Sequence, residues 1–313
     1  MRTESSGLGE AAKDVVWVEV TKEAVWSKRD SMGVVVFNDR MWLLGGYTPK
    51  RVNDVWYSSD GVNWYQASDA APWGGRNLPC SIVYDERIWV MGGIQPAPLK
   101  TSYNDVWYSY DGKTWEQVTD NAPWSKRGAA SSVVFNGKMW VIGGFEDGTF
   151  THNSEVWSSK DGETWEQVTA KASWSPRSMH TSVVFNGKMW IIGGGVYNTA
   201  YPHNIAANYN DVWCSSDGVE WVEVTAAAEW MPRRFHCSEV YNGKIWVLSG
   251  YHYGNRNDVW YSRNGKNWKE AKPPAPWTIR HAPACLVYKD RLWVIGGYGQ
   301  TLYNDVWACK EGP

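Results

Sequence analysis

Residues Asn53–Gly61 read NDVWYSSDG, and nearly the same letters return at Asn104–Gly112 as NDVWYSYDG. A motif that returns at such a distance calls for a search for a period, and the tryptophans supply it. The 313-residue chain has 24 Trp, which fall into four columns of six. One column stands three residues before an Arg: Trp26, Trp73, Trp124, Trp174, Trp230 and Trp277. A second follows a tight turn, as in NGKMW: Trp42, Trp89, Trp140, Trp190, Trp246 and Trp293. The third belongs to the NDVW motif itself: Trp56, Trp107, Trp157, Trp213, Trp260 and Trp307. The fourth follows DGxx: Trp64, Trp115, Trp165, Trp221, Trp268 and, out of order, Trp17.

Each unit predicts four short strands. In the fourth they read HTSVVF, KMWIIGG, NDVWCSSDG and WVEVT, with Asn186-Gly187 and Asp217-Gly218 as hairpin turns. Four-stranded units of about 50 residues predict propeller blades. The expected fold class is therefore all-β, a six-bladed β-propeller of four-stranded antiparallel blades. The sixth unit ends after its third strand, whereas the chain begins with VVWVEVT, a fourth-strand pattern. The N-terminal strand, from about residue 15 to 21, is expected to complete the last blade and close the ring, which removes the bare edge of an open array. Residues 1–12 read as a flexible tail and 13–313 as a single propeller.

These units resemble kelch repeats, whose signature is a Gly-Gly pair closing the second strand and a Trp on the fourth. The pair stands at Gly45-Gly46, Gly92-Gly93, Gly143-Gly144, Gly193-Gly194 and Gly296-Gly297, with Ser249-Gly250 as the one departure. The resemblance covers nearly the whole chain and places it with the kelch-like propellers, a superfamily that includes the central domain of galactose oxidase. In peptide-binding kelch proteins, arginines entering the first strand and tyrosines directly after Gly-Gly contact the ligand; by position this implicates Arg29, Arg76, Arg280, Tyr47, Tyr251 and Tyr298. Galactose oxidase places copper ligands as R-x-Y-H here, but Arg233-Arg234-Phe235-His236 and Arg177-Ser178-Met179-His180 lack the Tyr. Copper-radical chemistry is therefore not implied, and His180 and His236 are expected to be structural. No BTB module accompanies the repeats, so a ubiquitin-ligase adaptor role is not implied either.

Composition excludes further classes. With 31 Lys and Arg against 33 Asp and Glu, the chain has no basic field for nucleic acid or an anionic membrane. No apolar run reaches membrane-spanning length, and MRTESSGLGEAAKD lacks a signal-peptide core. The chain reads as soluble and monomeric, cytoplasmic or the mature part of an exported protein. Its five cysteines are scattered without C-x-x-C spacing and read as buried thiols.

In a blade of this kind the segment entering the first strand and the loop between the second and third strands share one face, here called the top. The top loops vary in length while the opposite turns hardly do, so function is expected there. The longest loop, Gly195 to Tyr209, reads as a lid. Aromatics gather in these loops: Tyr47, Tyr103, Phe145, Phe150, Tyr197, Tyr201, His203, Tyr209, Tyr251, His252, Tyr253, Tyr298 and Tyr303. A column of arginines (Arg29, Arg76, Arg127, Arg177, Arg233, Arg280) accompanies a column of acids (Asp54, Asp105, Glu155, Asp211, Asp258, Asp305), and paired, structural arginines are expected. On the bottom, Arg40, Arg87, Lys138, Lys188, Lys244 and Arg291 sit among turn aspartates and read as a screened surface.

The residue after the Arg column breaks the symmetry: Asp30, Asn77, Gly128, Ser178, Arg234, His281. Glu239 does so too, in a column otherwise of Val, Ile and Leu; it is expected either to pair with Arg233 or Arg234 or to face channel water. The leading expectation is a non-catalytic recognition propeller that takes a peptide, glycan or small ligand at the top face and channel mouth. Its candidate ligand-binding residues are Arg29, Arg76, Arg280, Tyr47, Phe145, Tyr251, Tyr253, Tyr298, His203 and His252. The alternative is a small-molecule enzyme, a sugar isomerase or mutarotase or a metal-assisted lyase or oxidase. Its catalytic candidates are His281, Asp30, Arg234 and Glu239, and Asp30 or Glu239 should then raise the pKa of His281. No cofactor is assigned; His203, His252 and His281 are the residues that would gather around a metal.

Overall fold

The computed structural model describes residues 15–95, 102–146, 149–197 and 205–311. Among them the chain forms 24 strands, β1 to β24 in chain order, grouped as six four-stranded sheets. Blade 1 shows the plan: β2 (Gly33–Phe37), β3 (Arg40–Tyr47), β4 (Arg51–Ser58) and β5 (Tyr65–Ser68) pair antiparallel in chain order. Blades 2 to 5 repeat it from β6 to β21. The innermost strand of each blade packs on that of the next, and the sixth on the first, so the six sheets form a propeller.

The last blade closes as the repeats require. β22 (Ala284–Tyr288), β23 (Arg291–Tyr298) and β24 (Leu302–Glu311) take β1 (Val15–Thr21) as their fourth strand, with Trp17 opposite Cys309. Trp17 meets Trp277 edge-on at 4.5 Å. The other five blades make the same edge-on contact between their first and fourth Trp columns, at 5.7 to 6.1 Å. The DG turns belong to this packing. Gly61 has φ 78°, and a Cβ there would lie 2.3 Å from the Trp293 ring of the preceding blade.

The arginine and acid columns pin each blade together. Arg29 donates to both Asp54 oxygens at 2.6 and 2.7 Å and to the Gly45 carbonyl at 2.9 Å, while the Trp56 indole also donates to Asp54 at 2.7 Å. The same ion pair joins Arg76 to Asp105, Arg127 to Glu155, Arg177 to Asp211, Arg233 to Asp258 and Arg280 to Asp305. All six arginines are buried. This is the paired, structural arrangement, and it ties the segment entering each blade to its third strand through charge-assisted bonds.

The one departure from Gly-Gly has its own compensation. Ser249 holds φ at 58°, unfavourable for a residue with a Cβ, and its Oγ accepts from the Trp277 indole N–H at 3.2 Å. Glycine at the equivalent position of the other blades offers no such acceptor. Ser249→Ala keeps the strain and loses the bond, so it is expected to cost about 1 kcal/mol in urea unfolding; an unchanged midpoint would assign the hydroxyl no role.

The described arms of the expected lid are strands. β15 (Lys188–Tyr197) and β16 (Ile205–Ser215) continue their pairing beyond the Gly-Gly pair, with Gly195 opposite Asn208 and Val196 opposite Ala207. Backbone pairing persists there because neither arm carries a proline or a turn signal that would end it. Tyr201 and His203, like residues 1–12, lie outside the described residues. All five cysteines are buried and none is in a disulfide.

Candidate functional site

The symmetry-breaking column meets the residue after each Gly-Gly pair. Isolated backbone bridges join Asp30 to Tyr47, Asn77 to Ile94, Gly128 to Phe145, Ser178 to Gly195, Arg234 to Tyr251 and His281 to Tyr298. Two variable positions per blade are thus held side by side around the channel mouth.

One residue further along, the chain closes a ring. The N–H of Leu78 donates to Ser31 O, Ala129 to Leu78, Met179 to Ala129, Phe235 to Met179, Ala282 to Phe235 and Ser31 to Ala282, at 2.7 to 3.2 Å. All six residues have φ between 48° and 57°. That left-handed backbone costs on the order of 1 kcal/mol or more each for a non-glycine residue, and it is held by a bond on either side. Below the ring lies a small chamber of about 130 Å³, lined in part by His180 and His236. Above it opens a bowl of about 560 Å³.

The bowl has two unlike sides. Blades 5, 6 and 1 present Arg234, Tyr251, His281, Asp30, Ser31, Tyr47 and Arg51, with Phe235 as the apolar exception. Blades 2, 3 and 4 present Leu78, Ile94, Phe145 and Met179, with Asn77 as the polar exception. The apolar side is one packed cluster that includes Ala129 and draws in Phe150 and Phe235. His152 stacks on Phe145 behind it, at 5.3 Å and 15° between planes.

The electrostatics of the polar side follow from burial. Asp30 is 8% exposed, and desolvation, opposed by a hydrogen bond from Ser31, raises its carboxyl to about 6. His281 Nδ1 lies 2.7 Å from Asn255 Oδ1; with that oxygen as acceptor the ring proton sits on Nδ1. Burial and then the charge of Arg234 lower His281 to about 4. The expectation that Asp30 or Glu239 would raise it is therefore corrected: loss of water and a neighbouring cation both disfavour imidazolium. The Arg234 guanidinium stands 5.4 Å from the Tyr251 ring and 5.7 Å from Phe235.

The remaining candidates lie outside the bowl wall. Arg29, Arg76 and Arg280 are at most 1% exposed and committed to their acids. Tyr298 is 39% exposed with its ring 5.3 Å from His281. Tyr253, 76% exposed, meets His252 edge-on at 4.7 Å, and His252 lies 3.2 Å from the Asn208 amide. Glu239 belongs to β18 (Cys237–Tyr241) on the channel wall, away from the bowl lining. Arg233, one partner expected for it, is held by Asp258 instead. Burial, opposed only by a hydrogen bond from the Val240 backbone, pushes Glu239 up to about 8. His180 and His236 bond Ser131 Oγ and Thr181 Oγ1, and burial lowers both to about 3. Among the described residues no three His, Cys, Asp or Glu side chains gather as a metal-binding group.

Sequence reasoning passed over Arg51, Leu78, Ile94, Met179 and Phe235. Three of them belong to the ring column Ser31, Leu78, Ala129, Met179, Phe235, Ala282, whose letters vary nearly as much as the column before it. That variation was the available signal, hidden because isolated apolar residues read as core.

Fold and bowl together define a six-bladed propeller of the kelch class with a floored, two-sided pocket at its top. The family model for the KLHDC2/KLHL20/DRC7 Kelch-repeats domain matches residues 14–194 and 161–310, and the chain belongs to this family. Kelch propellers commonly serve in binding protein partners. Comparison with individually curated proteins found no match. Among the described residues no helix is long and apolar enough to cross a membrane.

Proposed function

We propose that the propeller is a non-catalytic recognition module whose bowl takes a short peptide segment of a protein partner. The two-sidedness of the bowl carries this reading. A large apolar side chain would pack against Leu78, Ile94, Phe145 and Met179, while a peptide carbonyl or an acidic side chain would reach Arg234 and Tyr251 and a peptide N–H would donate to Asp30. Peptides combine both demands within a few ångströms; a glycan would leave its hydroxyls unpaired against the apolar side. Family membership supports a protein ligand over a small metabolite.

Panning a random peptide display library on the immobilised propeller tests this. Peptides with an aromatic or aliphatic anchor are expected to be enriched, and Tyr47→Ala, Tyr251→Ala or Arg234→Ala should weaken them by about tenfold or more. Lys188→Ala, on the opposite face, should leave binding unchanged. No enrichment, or equal losses on both faces, would overturn the proposal. Acceleration of sugar mutarotation that Asp30→Asn abolishes would favour the enzyme instead, because neighbouring blades hold a carboxyl raised to about 6 and an imidazole lowered to about 4.

A further inference from the structure

On the face opposite the bowl, blades 1, 2 and 5 each seat a third-strand tyrosine between a second-strand Trp and a basic side chain. Tyr57 lies 5.0 Å from Trp42 with Arg40 4.5 Å over its ring, and Tyr261 lies 5.1 Å from Trp246 with Lys244 at 4.7 Å. In blade 2, Tyr108 lies 5.3 Å from Trp89 under Arg87 at 4.7 Å, and its hydroxyl donates to Glu116 at 2.6 Å. Around the propeller this position reads Tyr57, Tyr108, Ser158, Cys214, Tyr261, Ala308.

Blade 3 keeps the basic residue, the Trp and the carboxylate of blade 2 without the ring, and has Lys160 where Tyr110 packs on Tyr108 at 5.6 Å in blade 2. Lys138 stands where blade 2 has Arg87, Trp140 where it has Trp89, and Glu166 where it has Glu116; Ser158, opposite Trp140 in the sheet, replaces Tyr108. A cavity of about 380 Å³ opens there, lined by Lys138, Ser158, Lys160, Trp165 and Glu166 among others. Ser158 is 1% exposed, and its Oγ has no hydrogen-bond partner among the described residues. Lys138 Nζ lies 3.2 Å from Glu166, so cation and carboxylate are already side by side. Blades 4 and 6, which also lack the tyrosine, carry Val222 and Val18 in place of the carboxylate.

We propose that this cavity is a second binding site, for the phenol ring of a tyrosine side chain on a protein partner. The ring enters the cavity beside Ser158 and beneath the Lys138 ammonium, and its hydroxyl donates to Glu166, as Tyr108 does to Glu116 within blade 2. A cation over a ring and a charge-assisted hydrogen bond each favour a phenol, and the carboxylate discriminates tyrosine from phenylalanine. The site is separate from the bowl and does not depend on what the bowl binds.

Titration of N-acetyl-tyrosinamide into protein labelled at its indole nitrogens tests the site. Saturable shifts are expected at Trp140 and Trp165, with affinity about tenfold lower for N-acetyl-phenylalaninamide and for Glu166→Ala, the fold-change of one charge-assisted hydrogen bond. Ser158→Tyr should abolish the shifts by supplying the ring from within. Because Ser158 is buried, the exposed Glu166→Ala decides the matter should that variant not fold. Absence of saturable shifts, equal affinity for the two amides, or unchanged affinity in Glu166→Ala would overturn the proposal.

Discussion

Removal of residues 1–21 is expected to destabilise the propeller by on the order of 5 kcal/mol or more, which lowers the melting temperature by roughly 10 °C. The deletion takes away β1, the fourth strand of the last blade, and bares the edge of β24. It removes Val15, fully buried among blades 5 and 6, and the Trp17 ring that meets Trp277 at 4.5 Å. Loss of the partly buried Trp17 ring alone accounts for up to about 3 kcal/mol, and the unpaired edge adds to it. Trp17→Ala should reproduce the first part without the second, so the two melting curves separate packing from pairing. A truncated protein that melts with the full chain would show that β1 does not hold the ring.

Glu239→Leu is expected to stabilise the protein by roughly 3 kcal/mol at pH 8 and by almost nothing near pH 4. Burial raises the folded-state carboxyl from 4.5 to about 8, so between those values the native state holds a proton that the unfolded chain has released. Stability then falls as pH rises through this window, and the loss is complete above pH 8. The stated size is below the full value of the shift because Glu239 stays in partial contact with channel water. Leucine is the natural replacement, since Leu286 occupies the same column in blade 6. Urea midpoints of the two proteins across pH 5 to 9 should diverge steadily; parallel curves would mean that the carboxyl titrates normally.

Much of the molecule was legible in its letters because repetition makes a sequence its own control. The four Trp columns mark the same four places in every blade, and Trp17 out of order revealed which strand closes the ring. The arginine and acid columns, equal in number, suggested pairs before any distance was known. The candidate site was partly visible too: Asp30, Arg234 and His281 stood out as breaks in a column, and all three line the bowl together with Tyr47, Phe145 and Tyr251. The opposite face was not legible in this way. Ser158 attracts notice only once Tyr108 is seen between Arg87 and Glu116, since a serine in a strand carries no signal of a missing ring.

The sequence by itself determined the number of blades, the strand that completes the last one and the columns in which variation collects. These follow from local pattern: turn residues, strand alternation and a tryptophan at each fixed place. Only the tertiary structure decided which variable residues share a wall, that the bowl is mostly polar toward blades 5, 6 and 1 and mostly apolar toward blades 2 to 4, and that His281 is driven down to about 4 while Asp30 is driven up to about 6. The reason is physical. Spacing along the chain places a side chain in its blade, but desolvation and the charges of neighbouring blades act across the channel, between residues that the sequence holds far apart.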